Sequence, residues 1–136
     1  MNVFKFGGAS VKDAQGIRNL HSIIKQNENS DLFIVVSAIG KTTNALENVI
    51  KSFVAKEDWK SKLDAVFNQH DDLLSELLSD QGDAHSAIAK IKTYAFAFLE
   101  ADTEADYDFL YDQIVSLGEI ASTKIVTAYL QQENIN

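Results

Sequence analysis

A lysine, two glycines and a serine follow one another closely at the start of the chain. Lys5 lies in the apolar run Val3–Phe6, and Gly7, Gly8 and Ser10 come just after it. Glycines let a ligand approach the main chain closely, and the start of a following helix favours an anion. A cation beside such a turn indicates a phosphate site. A tight turn without a ligand would use the same residues, so this motif alone leaves both interpretations open.

A second glycine-containing turn, Gly40-Lys41-Thr42, is similar to the end of a P-loop. The complete P-loop pattern requires another glycine at the position that Val35 occupies here. The loop is therefore too short to surround a triphosphate. We interpret Lys41 as a solvated side chain near a helix start and assign it no catalytic role.

Two predicted strands position these turns. Val3–Phe6 and Leu32–Val36 are short apolar runs, and the second is rich in β-branched residues. Such runs are typical of parallel strands that are covered on both faces. Because parallel strands end at the same edge of a sheet, we expect both turns to lie together where ligands bind in open α/β sheets. A helix over Val11–Gln26 should connect the strands, with Ser10 as its N-cap and with Gly16 where the helix backbone passes close to a neighbour.

The chain after Asn44 has helical spacing throughout, and we predict no further strand. Asp58 is the expected N-cap of one helix, and another is expected to start near Thr103. His70 lies on an apolar stripe and is interpreted as a core histidine. Since two strands cannot form a stable two-sided sheet, we interpret residues 1–136 as part of a larger α/β domain. Its predicted parts are two βα units (1–44), a helical part (45–117) and a last helix (118–136).

Composition excludes several classes of function. The formal net charge of −8 argues against nucleic acid and anionic membranes as partners. The chain has no cysteine and no segment that approaches the ~20 apolar residues of a membrane span, and no signal peptide is visible. We therefore expect a cytoplasmic protein. The histidines lie on separate predicted helices, so we expect no metal site.

Three motifs together resemble a known family. Lys5-Phe6-Gly7-Gly8-Ala9-Ser10-Val11 resembles the aspartokinase signature KFGG[TA]SV. Val35-Val36-Ser37-Ala38 with Thr43-Asn44 resembles the second aspartokinase motif, and Leu117-Gly118-Glu119 with Ser122 resembles the third. The resemblance implies that the chain is the N-terminal part of an amino-acid-kinase (carbamate-kinase-like) αβα sandwich, with parallel strands and a helix-rich insertion. It also implies transfer of the ATP γ-phosphoryl group to the side-chain carboxylate of L-aspartate, the first step of lysine, threonine and methionine biosynthesis.

The resemblance also implies roles for individual residues. A lysine beside the reacting phosphate stabilises the charge that spreads over the transferring group, and here that residue is Lys5. The implied phosphate contacts are Gly7, Gly8 and Ser10, and the implied substrate contacts are Ser37, Thr43 and Glu119. Glu119 would receive the ammonium group of aspartate, although a carboxylate at a helix start also suits the helix dipole. ATP would enter with Mg²⁺ as a substrate.

Some parts of the aspartokinase pattern have no counterpart in this chain. A later GRGGSD-type segment, the part that holds the nucleotide base, and the regulatory ACT-type domains do not occur. We therefore expect the chain alone to be inactive. Unpaired strand edges predict a homo-oligomer. Two alternatives stay open: a kinase of the same superfamily that acts on another carboxylate or on a carbamate, and a non-catalytic helical interaction domain.

Overall fold

Two parallel strands and six helices form the described part of the chain, which is residues 1–80, 82–101 and 104–135 of this computed structural model. In chain order they are β1 (Asn2–Phe6), α1 (Ala14–Lys25), β2 (Leu32–Val36), α2 (Thr42–Val54), α3 (Trp59–Leu77), α4 (Asp83–Ala101), α5 (Tyr107–Val115) and α6 (Leu117–Gln132). Both predicted strands are confirmed, and in the described ranges no strand follows β2. The predicted helix start near Thr103 lies outside the described residues.

The two strands pair in parallel, with Lys5 opposite Val35 in the register. Phe6 is buried on the face of the sheet that packs on the core. On the other face, Val3 is 60% exposed and Phe33 is 58% exposed. The apolar runs predict cover on both faces, and the described helices cover one of them. The strand sequences therefore carry more apolar surface than the described helices bury.

Helix α1 begins later than predicted. Its N-cap is Asp13, whose carboxylate accepts a hydrogen bond from the backbone N–H of Gly16 (2.8 Å). The predicted cap, Ser10, instead belongs to a turn, where its N–H donates to the carbonyl of Gly7 (2.9 Å). The predicted close approach at Gly16 is confirmed, because a Cβ there would collide with the carbonyl oxygen of Ser10. That approach folds the first turn back onto the start of α1.

The helices α2 to α6 enclose an apolar core next to the sheet. Its largest fully buried side chains include Leu46, Ile50, Leu63, Phe67, Leu74, Leu99, Leu110, Ile114 and Ile125. Asp58 caps α3 as predicted, accepting a hydrogen bond from the N–H of Ser61 (3.0 Å). His70 is a core histidine as predicted, 2% exposed and hydrogen-bonded to the carbonyl of Val66. None of the helices that the structure describes is long and apolar enough to cross a membrane.

Candidate active site

The turns after the two strands contact each other directly. The backbone N–H of Gly40 donates a hydrogen bond to the carbonyl of Gly8 (3.1 Å). A Cβ at Gly8 would lie 2.9 Å from the carbonyl oxygens of both Ala38 and Gly40, which is closer than real Cβ contacts come. Gly40 has φ +53°, in the left-handed region that favours glycine. Both glycines are therefore needed for the two turns to meet at the carboxyl edge of the sheet.

The third motif joins the same place through α6. A Cβ at Gly118 would lie 3.2 Å from the Cβ of Ala38 and 3.1 Å from a methyl group of Thr42. The hydroxyl of Ser122 donates to the carbonyl of Ser37 at 2.7 Å. The start of α6 is thus fixed against the end of β2 and the start of α2. Three motifs that are far apart in sequence therefore lie in one neighbourhood.

Lys5 lies near the carboxyl end of β1 with its side chain exposed. It lines an open depression of about 630 Å³ together with Ser10, Lys12 and one side of α1. In the described ranges no carboxylate lies within ion-pair distance of the Lys5 ammonium group. The amine is therefore available to an anion from outside the chain.

The three predicted substrate contacts occupy the ends of three elements. Ser37 follows β2, and its N–H donates to the carbonyl of Phe6 (3.0 Å). Thr43 is in the first turn of α2, and Glu119 is exposed in the first turn of α6. The packing of Gly118 brings these three element ends together. The depression that Lys5 lines includes none of the three, so their convergence with Lys5 stays a prediction.

Several residues that position the site were not singled out as functional from the sequence. Thr42 is buried, and its hydroxyl donates to the carbonyl of Ile39 (2.6 Å), which holds the second turn closed. Ala38 is the surface against which both Gly8 and Gly118 pack. The sequence identifies Ser122 as part of the third motif. Nothing in the local sequence predicts its hydrogen bond to Ser37.

Comparison with known proteins decides the family. The model of the amino acid kinase family matches residues 1–136. The chain belongs to the amino acid kinase family. Its predicted amino-acid-kinase fold is confirmed by the crystal structure of E. coli aspartokinase III in complex with aspartate and ADP in the R-state. That structure matches with a TM-score of 0.83 and 29% identity, covering 97% of this chain and 29% of the E. coli chain.

Within the amino acid kinase family, the curated relatives are aspartokinases. The bifunctional aspartokinase/homoserine dehydrogenase of Buchnera aphidicola (subsp. Acyrthosiphon pisum, strain APS) is 29% identical over 100% of this chain and 18% of its own length. The chloroplastic aspartokinase 1 of Arabidopsis thaliana is 30% identical over 94% of this chain and 23% of its own length. The chain thus spans about a fifth of these relatives. The predicted resemblance to the N-terminal portion of aspartokinases is confirmed.

The described residues offer no metal-binding cluster of three or more histidine, aspartate or glutamate side chains. The helix start at α2 has no side-chain cap, and α6 has only Glu119 as an acidic residue in its first turn. Such helix starts favour negative groups of a ligand, and Glu119 adds one carboxylate for a cation. Chemically, the starts of α2 and α6 suit a small ligand that carries both charges.

Proposed function

We propose that the full-length protein containing this chain phosphorylates the side-chain carboxylate of L-aspartate with Mg·ATP. The observation that carries the proposal is the structural match to an aspartokinase that is in complex with aspartate and ADP, over almost the whole of this chain. The matched region includes all three motifs. Lysine, threonine and methionine biosynthesis would be the corresponding metabolic role.

Lys5 is the proposed catalytic cation. A carboxylate that attacks ATP brings two anions together, and the charge spreads over the transferring phosphoryl group. Preplaced positive groups stabilise that charge without having to reorganise during the reaction. The exposed amine of Lys5 has no carboxylate partner in the part of the chain that the structure describes, which leaves it free for this task. Gly7 and Gly8 would add backbone N–H donors, and Ser10 a hydroxyl.

The proposed aspartate side is the group of element ends around Gly118. Ser37 and Thr43 would contact the substrate, and Glu119 would pair with its ammonium group. The hydrogen bond from Ser122 to Ser37 makes this side rigid, because it fixes the end of β2 to α6. A rigid site orients the attacking carboxylate toward the phosphate, which is a large part of what catalysis of phosphoryl transfer requires.

The chain alone is proposed to be inactive. It matches only 29% of the length of the aspartokinase III chain, and it has no counterpart of the GRGGSD-type segment or of the part that holds the nucleotide base. Turnover by the 136-residue chain at a rate typical of kinases, roughly 1–100 per second, would contradict this part of the proposal.

Steady-state kinetics of the full-length protein test the proposed substrate. With Mg·ATP we expect product from L-aspartate and at least a hundredfold lower kcat/KM for L-glutamate, whose carboxylate is displaced by one methylene from the phosphate. Glu119→Gln should raise the KM for aspartate roughly tenfold or more and change kcat little, because it removes a charged contact to a non-reacting group. Equal use of glutamate would favour another carboxylate kinase of the family.

A further inference from the structure

A row of aromatic side chains lies on the outer surface of α4 and α5. It consists of Tyr94, Phe98 and Phe109, and we call it the aromatic row. The ring of Tyr94 stacks on that of Phe98 with centroids 6.1 Å apart, and the ring of Phe98 lies 5.9 Å from that of Phe109. Tyr94 is 47% exposed and Phe109 is 44% exposed, although both are large aromatic residues. Accessible aromatic side chains that form one patch are typical of protein–protein interaction surfaces.

The aromatic row is fixed along the seam between the two helices. The hydroxyl of Tyr94 donates a hydrogen bond to the side-chain oxygen of Gln113 (3.3 Å). This contact and the one between Phe98 and Phe109 show that α4 and α5 run antiparallel here. Rings that are already ordered lose little conformational entropy when a partner binds. A groove between two helices is also a surface that accepts an amphipathic helix.

The same part of the chain is strongly acidic. Between Lys92 and Lys124 the sequence contains seven aspartates and glutamates and no lysine, arginine or histidine. Asp108 and Asp112 lie four residues apart on α5, so their carboxylates share one side of the helix and repel each other. Neither of them forms an ion pair within the described ranges. A positive side chain from a partner would relieve that repulsion.

Asp112 connects this acidic pair with the aromatic row. It follows Phe109 by three residues, and residues three apart in a helix are neighbours on its surface. A second copy of this chain would bring the same acids against each other. Lys90, a single positive charge one turn before Tyr94, does not balance them. Nucleic acid and anionic membranes are repelled for the same reason. The charges therefore favour a basic protein segment as the occupant.

We propose that the α4–α5 face, which consists of the aromatic row with Asp108 and Asp112, binds a basic amphipathic helix of a partner protein. Apolar side chains of that helix pack on the three rings, and its lysines or arginines pair with the two aspartates. Both parts are needed, because the rings supply apolar contact area and the aspartates select a positively charged partner. The proposal does not rest on the proposed function, because none of these residues is among the proposed phosphate or substrate contacts.

Binding of a synthetic peptide to the full-length protein tests the proposal. The probe is a fluorescent peptide of about 14 residues, or four helical turns, whose leucines form one face and whose lysines form the other. Fluorescence anisotropy should show saturable binding that weakens as the salt concentration rises. Phe109→Ser, and Asp108→Asn combined with Asp112→Asn, should each weaken the binding about tenfold or more. Ile23→Ser and Glu28→Gln, which change an exposed apolar residue and an exposed acid elsewhere, should leave it unchanged.

The other arms of the experiment separate the possible occupants. The proposal is overturned if the leucine–lysine peptide does not bind, if a peptide with glutamate in place of every lysine binds equally well, or if Phe109→Ser binds as tightly as Ile23→Ser. Loss of self-association in sedimentation of Phe109→Ser, but not of Ile23→Ser, would assign the face to a second copy instead. Circular dichroism checks that each variant is folded. The two aspartate substitutions change exposed side chains, so the test stands on them even if Phe109→Ser fails to fold.

Discussion

Gly7 and Gly8 are adjacent in the sequence, but the structure predicts opposite consequences when each is changed to alanine. A Cβ at Gly8 would lie 2.9 Å from the carbonyl oxygens of Ala38 and Gly40, whereas a Cβ at Gly7 would have no atom within 4 Å. Optimal contacts begin at ~3.5 Å, so the two turns must separate by about 0.6 Å (3.5 − 2.9) to accept Gly8→Ala. Both obstructing atoms are backbone, so no side-chain rotation relieves the clash.

Overpacking of this kind typically costs about 1–3 kcal/mol. We therefore expect Gly8→Ala to lower the free energy of unfolding by that amount, while Gly7→Ala stays within about 0.5 kcal/mol of the unchanged chain. Urea unfolding of the three proteins, followed by circular dichroism, measures the difference. Amide spectra should show that Gly8→Ala also shifts Gly40, whose N–H donates to Gly8. Equal destabilisation by the two substitutions, or a neutral Gly8→Ala, would refute the contact between the turns.

Three further predictions concern the core, the third motif and the open sheet face. Burial lowers the pKa of His70, so the unfolded chain binds a proton more readily. The free energy of unfolding should therefore fall as the pH drops below about 6.5, by at most about 1.4 kcal/mol per pH unit. The free energy of unfolding of His70→Phe, measured in urea, should lack this dependence on pH. The same pH dependence in both proteins would contradict the prediction. Ser122→Ala should cost about 0.5–1.5 kcal/mol, because it removes the part-buried hydrogen bond to the carbonyl of Ser37. Thr123→Ala, at the exposed neighbouring position, is the control. Equal losses in the free energy of unfolding would argue against a role for the Ser37 contact. The exposed apolar side chains Val3 and Phe33 predict self-association in sedimentation, and a strictly monomeric chain would contradict that expectation.

The sequence predicted the architecture well where one local pattern decides it. The two apolar runs predicted parallel strands, and their bounds agree with the structure within one residue. Gly16, which is unfavourable inside a helical pattern, predicted a close approach, and the carbonyl of Ser10 makes it. The resemblance of the three motifs also predicted the family. These features depend on periodicity, on glycine stereochemistry and on short segments with specific residues.

Other features depend on contacts between distant segments, and the sequence could not resolve them. Ser10 and Asp13 are both good helix caps, and only the turn closed by Gly7 decides between them. Nothing local distinguishes Gly7 from Gly8, because the obstructing atoms belong to the second turn. The cover of Phe33 depends on surfaces beyond the described helices. The meeting of Lys5 with Ser37, Thr43 and Glu119 is likewise a prediction that side-chain patterns support but do not establish.

The central claim is that the amine of Lys5 stabilises the transferring phosphoryl group, and single-turnover kinetics of the full-length protein test it most directly. Lys5→Ala should lower the rate of phosphoryl transfer from Mg·ATP to L-aspartate by about a hundredfold to a thousandfold. Lys25→Ala, an exposed lysine at the end of α1, should leave that rate unchanged. A Lys5→Ala protein that transfers the phosphoryl group at the rate of the unchanged enzyme would contradict the claim.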